Sequence, residues 1–204
     1  MAMISSLSEQ ATRARCLEGT ARAIMRKGIA ATTVQDILAA AGLSRRTFYL
    51  HFHSKEDALR ALFEILTDAT LEAIRAATTA DDPVDRALQA ADKYLALWQA
   101  DAKLSLLLQT EAMRTGSALA PARRRLLDAL CSDGVTNYER ATGRRIDPLI
   151  YRSLSLCLEG LLSHIDEASD VTYARIRAVF ESIARSTLTV ERDPPRPDPK
   201  GRDS

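Results

Sequence analysis

Long apolar runs are missing from this chain of 204 residues. No segment approaches the ~18 to 20 uninterrupted apolar residues that cross a bilayer, and the first residues lack the charged-then-apolar order of a secretion signal, so a cytoplasmic chain with no membrane partner is expected. Cysteine is scarce. Cys16, Cys131 and Cys157 are odd in number, far apart and never at Cys-x-x-Cys spacing, which excludes a disulfide framework and leaves reduced thiols in helical patterns. Runs of alternating β-branched residues are also absent, which argues against strands. Catalytic signatures fail in the same way. No Glu is followed three residues later by His, and there is no phosphate loop, no zinc-spaced Cys/His set and no Gly-x-Ser-x-Gly elbow. These absences predict a protein that is not an enzyme and holds no cofactor and no metal.

What is present is helical. Ala and Leu dominate a composition that is 46% hydrophobic, enough to bury a sizeable core. Punctuation by capping residues, Gly and Pro predicts nine helices. The first runs from about Ser8 to Lys27 before Gly28, and two short ones follow. A long one runs from Ser54 to Thr78 with Leu59, Leu62, Phe63, Leu66, Ala69, Ala73 and Ile74 as its stripe. Pro83 opens the next, with Leu88, Ala91, Leu95 and Trp98 facing a core. Further helices span about Asp101–Thr115, Pro121–Thr142, Pro148–Ala168 and Thr172–Thr189. The tail at 191–204, rich in proline, is expected to be disordered.

The net charge of only +1 hides an asymmetry. Residues 1–55 carry eight Lys or Arg against three acids, which leaves the remainder acidic overall. That polarity suits a phosphate-facing head at 1–55 on a body at 56–190 that DNA would repel.

The segment from Ala41 to Leu59 carries the most information. Thr32 and Thr33 offer N-caps, with Gln35 and Asp36 three residues on, for a helix bearing Val34, Ile37, Leu38 and Ala41 inward. Gly42 supplies a sharp turn and Ser44 the next cap. In the seven-residue helix that follows, Phe48 and Phe52 share one side at i, i+4, while Arg46, Tyr49 and Leu50 point away and Arg45 sits on the flank. A short helix led by two arginines beyond a Gly turn is suited to a major groove, where guanidinium forks bond guanine O6 and N7.

The order of Thr33, the Gly42–Leu43 turn, Thr47, Phe48, Tyr49, His51–Phe52, Ser54, Lys55 and Ala58–Leu59 closely resembles the tetracycline-repressor (TetR) family of transcriptional regulators, over roughly residues 9–60. The resemblance implies an all-α, nine-helix TetR-like fold, with a three-helix helix-turn-helix head and a helical body for ligand binding and dimerisation. It also implies a motif at about 33–52, with Tyr49 and Lys55 on phosphate and Arg45 on bases. The DNA-facing set is then Thr33, Gln35, Ser44, Arg45, Arg46, Thr47, Tyr49, His51 and Lys55. Ser44, Arg46 and Leu50 depart from the residues most common in the family.

Two more expectations concern the body. The helix from Pro148 has Ile150, Leu154, Cys157, Leu158, Leu161 and Ile165 on one face and a second strip of Leu149, Leu156, Gly160 and Ser163 on the other. The last helix carries Ile176, Phe180 and Ile183 in a stripe. Two apolar faces need two partners, so these residues are the expected interface of a homodimer that completes a four-helix bundle; burial of both faces within one monomer is the alternative. The resemblance adds a palindromic double-stranded DNA operator and an unknown small-molecule effector. Tyr94, Trp98, Gln109, Glu111, Met113, Tyr138 and His164 are the candidate pocket residues. Glu111, on a stripe with Leu104, Leu107 and Leu108, is expected to face inward, either as an ion pair with Arg75 or Arg114 or as an effector contact.

Overall fold

The computed structural model describes residues 2–165 and 172–189, and among these it contains nine helices and no strand. They are α1 (Ala2–Lys27), α2 (Val34–Ala41), α3 (Arg45–Tyr49), α4 (Lys55–Ala77), α5 (Pro83–Ala100), α6 (Ala102–Met113), α7 (Ala120–Thr142), α8 (Pro148–Leu162) and α9 (Tyr173–Leu188). The all-α, nine-helix architecture matches the sequence reading. The expected disordered tail and the last residues of the helix expected to reach Ala168 lie outside the described residues.

Local chemistry sets most boundaries. The backbone N–H groups of Asp36, Thr47 and Asp57 donate to the side chains of Thr33, Ser44 and Ser54, so each of α2, α3 and α4 starts on a hydroxyl cap. Pro83 and Pro148 sit in the first turns of α5 and α8, behind the caps Asp82 and Asp147. Thr32 does not cap; it is buried, and its hydroxyl donates to the Gly28 carbonyl at 2.7 Å. Helix α3 is five residues long rather than seven, because Leu50 already forms its C-cap.

Two apolar clusters divide the molecule. The first joins Cys16, Ile24, Ile37, Phe48, Phe52 and Phe63 to Leu108, Ala112 and Leu119, so α6 and the start of α7 pack on the head. The second unites Leu88, Leu95, Trp98, Tyr151, Leu154, Leu158, Ile176 and Phe180 from α5, α8 and α9 with Cys131 and Tyr138 of α7. Along α4 the inward stripe differs from the expected one. Leu66 and Ala69 are exposed, while Thr67 is buried with its hydroxyl donating to the Glu64 carbonyl, because the helical period from Phe63 returns at Thr67 and Ile74.

The crossing of α1 and α2 is unusually close. A Cβ on Gly19 would lie 2.6 Å from the Ala41 Cβ and 2.9 Å from its backbone, so only glycine fits at position 19. Gly42 follows at φ 64°, the left-handed conformation that ends α2. The carbonyls left open there are covered from α1: Arg22 donates to Ala40 O at 2.7 Å, and Arg15 donates to Ala41 O and Gly42 O at 3.2 Å.

Asp36 ties the other end of α2. It accepts from Lys27 Nζ at 2.5 Å and from the Thr33 backbone N–H at 3.0 Å. The Lys27 bond first, and the Thr33 bonds second, hold its carboxyl well below the usual carboxylate range. A depressed carboxylate stabilises the fold above its unfolded value, about pH 4, and that stability is lost as pH falls toward the folded value. Asp36→Asn is therefore expected to be less stable than the parent at neutral pH and to lose less of its stability on acidification below about pH 4, measured by urea unfolding at stepped pH. Gly19→Leu is expected to destabilise the protein by about 1–3 kcal/mol or more through overpacking, measured by the same unfolding.

Candidate nucleic-acid interface and body cavity

The turn between α2 and α3 fixes what α3 presents. The Thr47 N–H donates to Ser44 Oγ at 3.1 Å, and the two hydroxyls share a hydrogen bond of 2.8 Å. Phe48 and Phe52 are fully buried, with ring centroids 5.8 Å apart, and they lock the short helix to the core. The guanidinium of Arg13 lies 5.4 Å from the Phe52 ring and seals that side.

The opposite face is open. Arg45, Arg46, Tyr49 and Leu50 are exposed, as are Ser44 and, on α2, Gln35 with its neighbour Thr33. Arg45 stacks over the Tyr49 ring at 5.8 Å, and no salt bridge with an acidic side chain is found for Arg45 or Arg46 among the described residues. Thr47 and His51 are half-buried at the edge. Lys55 has a largely buried side chain, and its ammonium donates to the Ile29 carbonyl at 3.1 Å, holding the α1–α2 loop against the start of α4. Leu50, at 72% exposure, is an apolar member of this face that the candidate set omits. Its position beside Tyr49 on the solvent side was the available signal.

A cavity of about 110 Å³, open to solvent on one side, lies in the body between α4, α5, α7, α8 and α9. Its walls are mostly apolar, with leucines of α7 and α8 facing alanines of α5. Gly134 makes room for one wall, since a Cβ there would strike the Tyr151 ring at 2.3 Å. Burial pushes the hydroxyls of Tyr94 and Tyr151 up, with the Glu159 carboxylate adding to the shift at Tyr94. Both therefore stay protonated at neutral pH.

Of the expected pocket residues only Tyr94 lines this cavity. Trp98 and Tyr138 are spent on the second apolar cluster, and Gln109 is buried elsewhere, on α6. Met113 and His164 face solvent. Glu111 is an ion-paired surface-edge group: Arg114 donates to it at 2.7 Å, Ser117 adds a bond at 3.2 Å, and its carboxyl is held below the usual range by Arg114 first. Arg75 pairs instead with Asp133, at 2.8 Å on the cavity rim.

Two polar lining residues were missed. Glu159 is 3% exposed and paired with Arg123 of α7; Asn137 is 5% exposed, and no protein group bonds either atom of its amide. Both sit among residues that read as ordinary helix surface, and only the packing of α7 on α8 turns them inward.

The expected self-association surface is partly as anticipated. Leu149 and Leu156 are exposed, Ser163 is exposed, and Gly160 has nothing within 4 Å of an added Cβ. Ile176 and Phe180 are corrected: they are buried against α5 and α8, so the outward side of α9 carries Val179, with Ile183 at the edge. The α5 contact claims the Ile176 side of α9 and rotates Val179 outward.

The sequence pattern of the family described as "Bacterial regulatory proteins, tetR family" matches residues 17–62. The HTH-type transcriptional regulator TtgR of Pseudomonas putida is 37% identical over 76 residues, which is 37% of this chain and 36% of the relative. The match thus takes in about a third of that relative's own length. The solved structure of the fatty acid degradation regulator FadR from Bacillus halodurans superposes with a TM-score of 0.72 at 20% identity, covering 87% of this chain and 94% of that one. FadR from Bacillus subtilis in complex with stearoyl-CoA gives 0.71 at 18% identity, covering 86% and 97%. Those two share the fold. The tetR family pattern thus covers the segment 17–62 that holds α2, α3 and the start of α4, and the chain has the fold of these regulators.

Proposed function

We propose that the protein is a sequence-specific transcriptional regulator acting as a dimeric repressor, released from a palindromic operator by a small-molecule effector. One observation carries the DNA-binding part. The solvent face of α3 bears Arg45, Arg46, Tyr49 and Leu50, side chains that the fold does not use, on a helix clamped by two buried phenylalanines. Guanidinium groups read guanine, a tyrosine hydroxyl bonds phosphate, and a leucine suits a thymine methyl. Thr33, Gln35, Ser44, Thr47, His51 and Lys55 surround these as the backbone-positioning set. Lys55 does this in part by bracing the loop at Ile29.

The repressor reading is supported by the cavity, whose lining is mostly apolar with a few polar groups and which is walled in part by α4, the helix whose first turns pack in the head. Binding there acts on the spacing of two heads only if two chains associate, and the open faces of α8 and α9 supply the surface. A DNA-binding protein without an effector is the competing reading, and release of operator DNA by a metabolite separates the two. Work on chromosomal DNA places the protein in the cytoplasm. Among the described residues no helix is long and apolar enough to cross a membrane.

Arg45→Ala is expected to flatten preference at one base position per half-site, by about 1–3 kcal/mol of discrimination, while Tyr49→Phe weakens specific and random DNA alike; a panel of single-base operator variants measures both. An Arg45→Ala protein with the parent's full profile places base readout elsewhere. Gly160→Arg puts a long cation into the open strip between Leu156 and Ser163, and is expected to yield monomers with an intact head by sedimentation velocity. A dimeric Gly160→Arg protein rules out that face.

A further inference from the structure

The cavity is elongated. Its α7 wall runs from Leu126 to Asn137, eleven residues and so about 16 Å along the helix axis. Asn137 lies one helical turn from Asp133, whose exposed pair with Arg75 marks the rim. Glu159 lies at the other end, where Arg123, one turn before Leu126 on α7, reaches it. Between them the lining is Leu127, Leu130, Leu154, Leu158 and the alanines of α5.

Charge accounting decides what such a chamber accepts. Arg75 is neutralised by Asp133, and Arg86, which keeps its positive charge, is turned toward the Ala80 carbonyl at 2.7 Å on the α4–α5 side, away from the Glu159 end. Glu159 is neutralised by Arg123, and Tyr94 and Tyr151 are uncharged. A ligand bearing a net charge at the inner end therefore adds a buried charge with no counter-charge. Hydrogen-bonding capacity is nevertheless left over at both ends. Arg123 donates through Nε and a terminal nitrogen to the same oxygen of Glu159, Oε2, so neither of these bonds uses Oε1. At the other end the Asn137 amide has both its N–H₂ donor and its carbonyl acceptor buried and unengaged by protein. An unpaired buried polar atom is costly, so the Asn137 end calls for a matching group, and Oε1 of Glu159 is an acceptor that Arg123 does not take.

Resting on the reading of the body as an effector chamber, we propose that the cavity binds an uncharged, elongated, mainly apolar molecule with a hydrogen-bond donor for Glu159 at its inner end and an amide-like donor–acceptor couple for Asn137 near the rim. Organic cations and carboxylates of the same length are discriminated against, because Arg123 already occupies the charge of Glu159 and the Asn137 amide offers no charge to a carboxylate.

Calorimetric titration of the full chain with ω-hydroxydodecanamide, ω-aminododecanamide and ω-hydroxydodecanoate tests this directly. The hydroxy-amide is expected to bind at least about tenfold more tightly than either charged congener. Asn137→Leu is expected to lose that binding and to raise the melting temperature of the free protein, since two unpaired polar atoms are replaced by an apolar side chain of similar size. Arg123→Met, which removes the neutralising guanidinium, is expected to make the amino compound the tightest of the three. An amino compound that binds the parent as tightly as the hydroxy-amide overturns the proposal, and so does an Asn137→Leu protein that melts lower yet binds unchanged. If none of the three binds while another metabolite releases operator DNA, the ligand class fails and the effector reading stands. If the hydroxy-amide binds through Asn137 but neither it nor any metabolite releases DNA, the ligand class stands and the regulatory reading fails.

Discussion

The contact of Gly19 with Ala41 is the constraint on which the head depends. An α-helix packs at 8–10 Å when ordinary side chains lie between the axes, and here one side chain is missing and its opposite is a methyl group. The closeness lets Arg15 and Arg22 reach the last carbonyls of α2, which would otherwise be left open beside a left-handed glycine. With both ends of α2 tied to α1, by the arginines at one end and by the Lys27–Asp36 bridge at the other, the Gly42 turn has a fixed starting direction. The exposed face of α3 inherits its orientation from that turn. A helix of five residues has no stability of its own, and its exposed side chains stay in place because Phe48 and Phe52 anchor it in the first apolar cluster.

The same core extends past the head. Leu108 and Ala112 of α6, and Leu119 beside the start of α7, belong to it, so the head is not a bead on a string; it shares apolar contacts with the body. Helix α4 runs from the first cluster to the cavity. Its first turns contribute Leu59, Leu62 and Phe63 to the head, and its last turns bring Ile74 and Arg75 to the cavity. On the surface α4 is linked to α7 by the Arg75–Asp133 and Arg125–Glu64 pairs, and the helix, about 35 Å long at 23 residues, spans from the head to the cavity. In the proposed regulation, this is the element through which a ligand in the cavity acts on the exposed face of α3.

Much of the head was legible in the sequence because its determinants are local. Thr33 with Asp36, Ser44 with Thr47 and Ser54 with Asp57 are capping pairs three residues apart, and the Phe48/Phe52 repeat defines the inward side without knowledge of the partner. The body was legible only as helices. Whether Ile176 or Val179 faces outward depends on how α5 approaches α9, which no periodicity encodes. Glu159 escaped notice for the same reason. Its sequence neighbours Gly160 and Ser163 mark a surface strip, and only the ion pair with Arg123, thirty-six positions away, explains a carboxylate in the interior. Glu111 drew attention through its apolar neighbours, yet the nearby Arg114 satisfies it at the edge. The bond of the Lys55 ammonium to Ile29, a contact between segments twenty-six residues apart, was likewise not legible in the sequence.

The central claim is that two copies of this head read DNA as a symmetric pair. Selection of bound sequences from a pool of random duplex DNA, using the full chain, tests it most directly. The account predicts enrichment of two inverted half-sites, each with a fixed guanine position, at one constant spacing. Recovery of unenriched DNA, or of a lone half-site without an inverted partner, would contradict it.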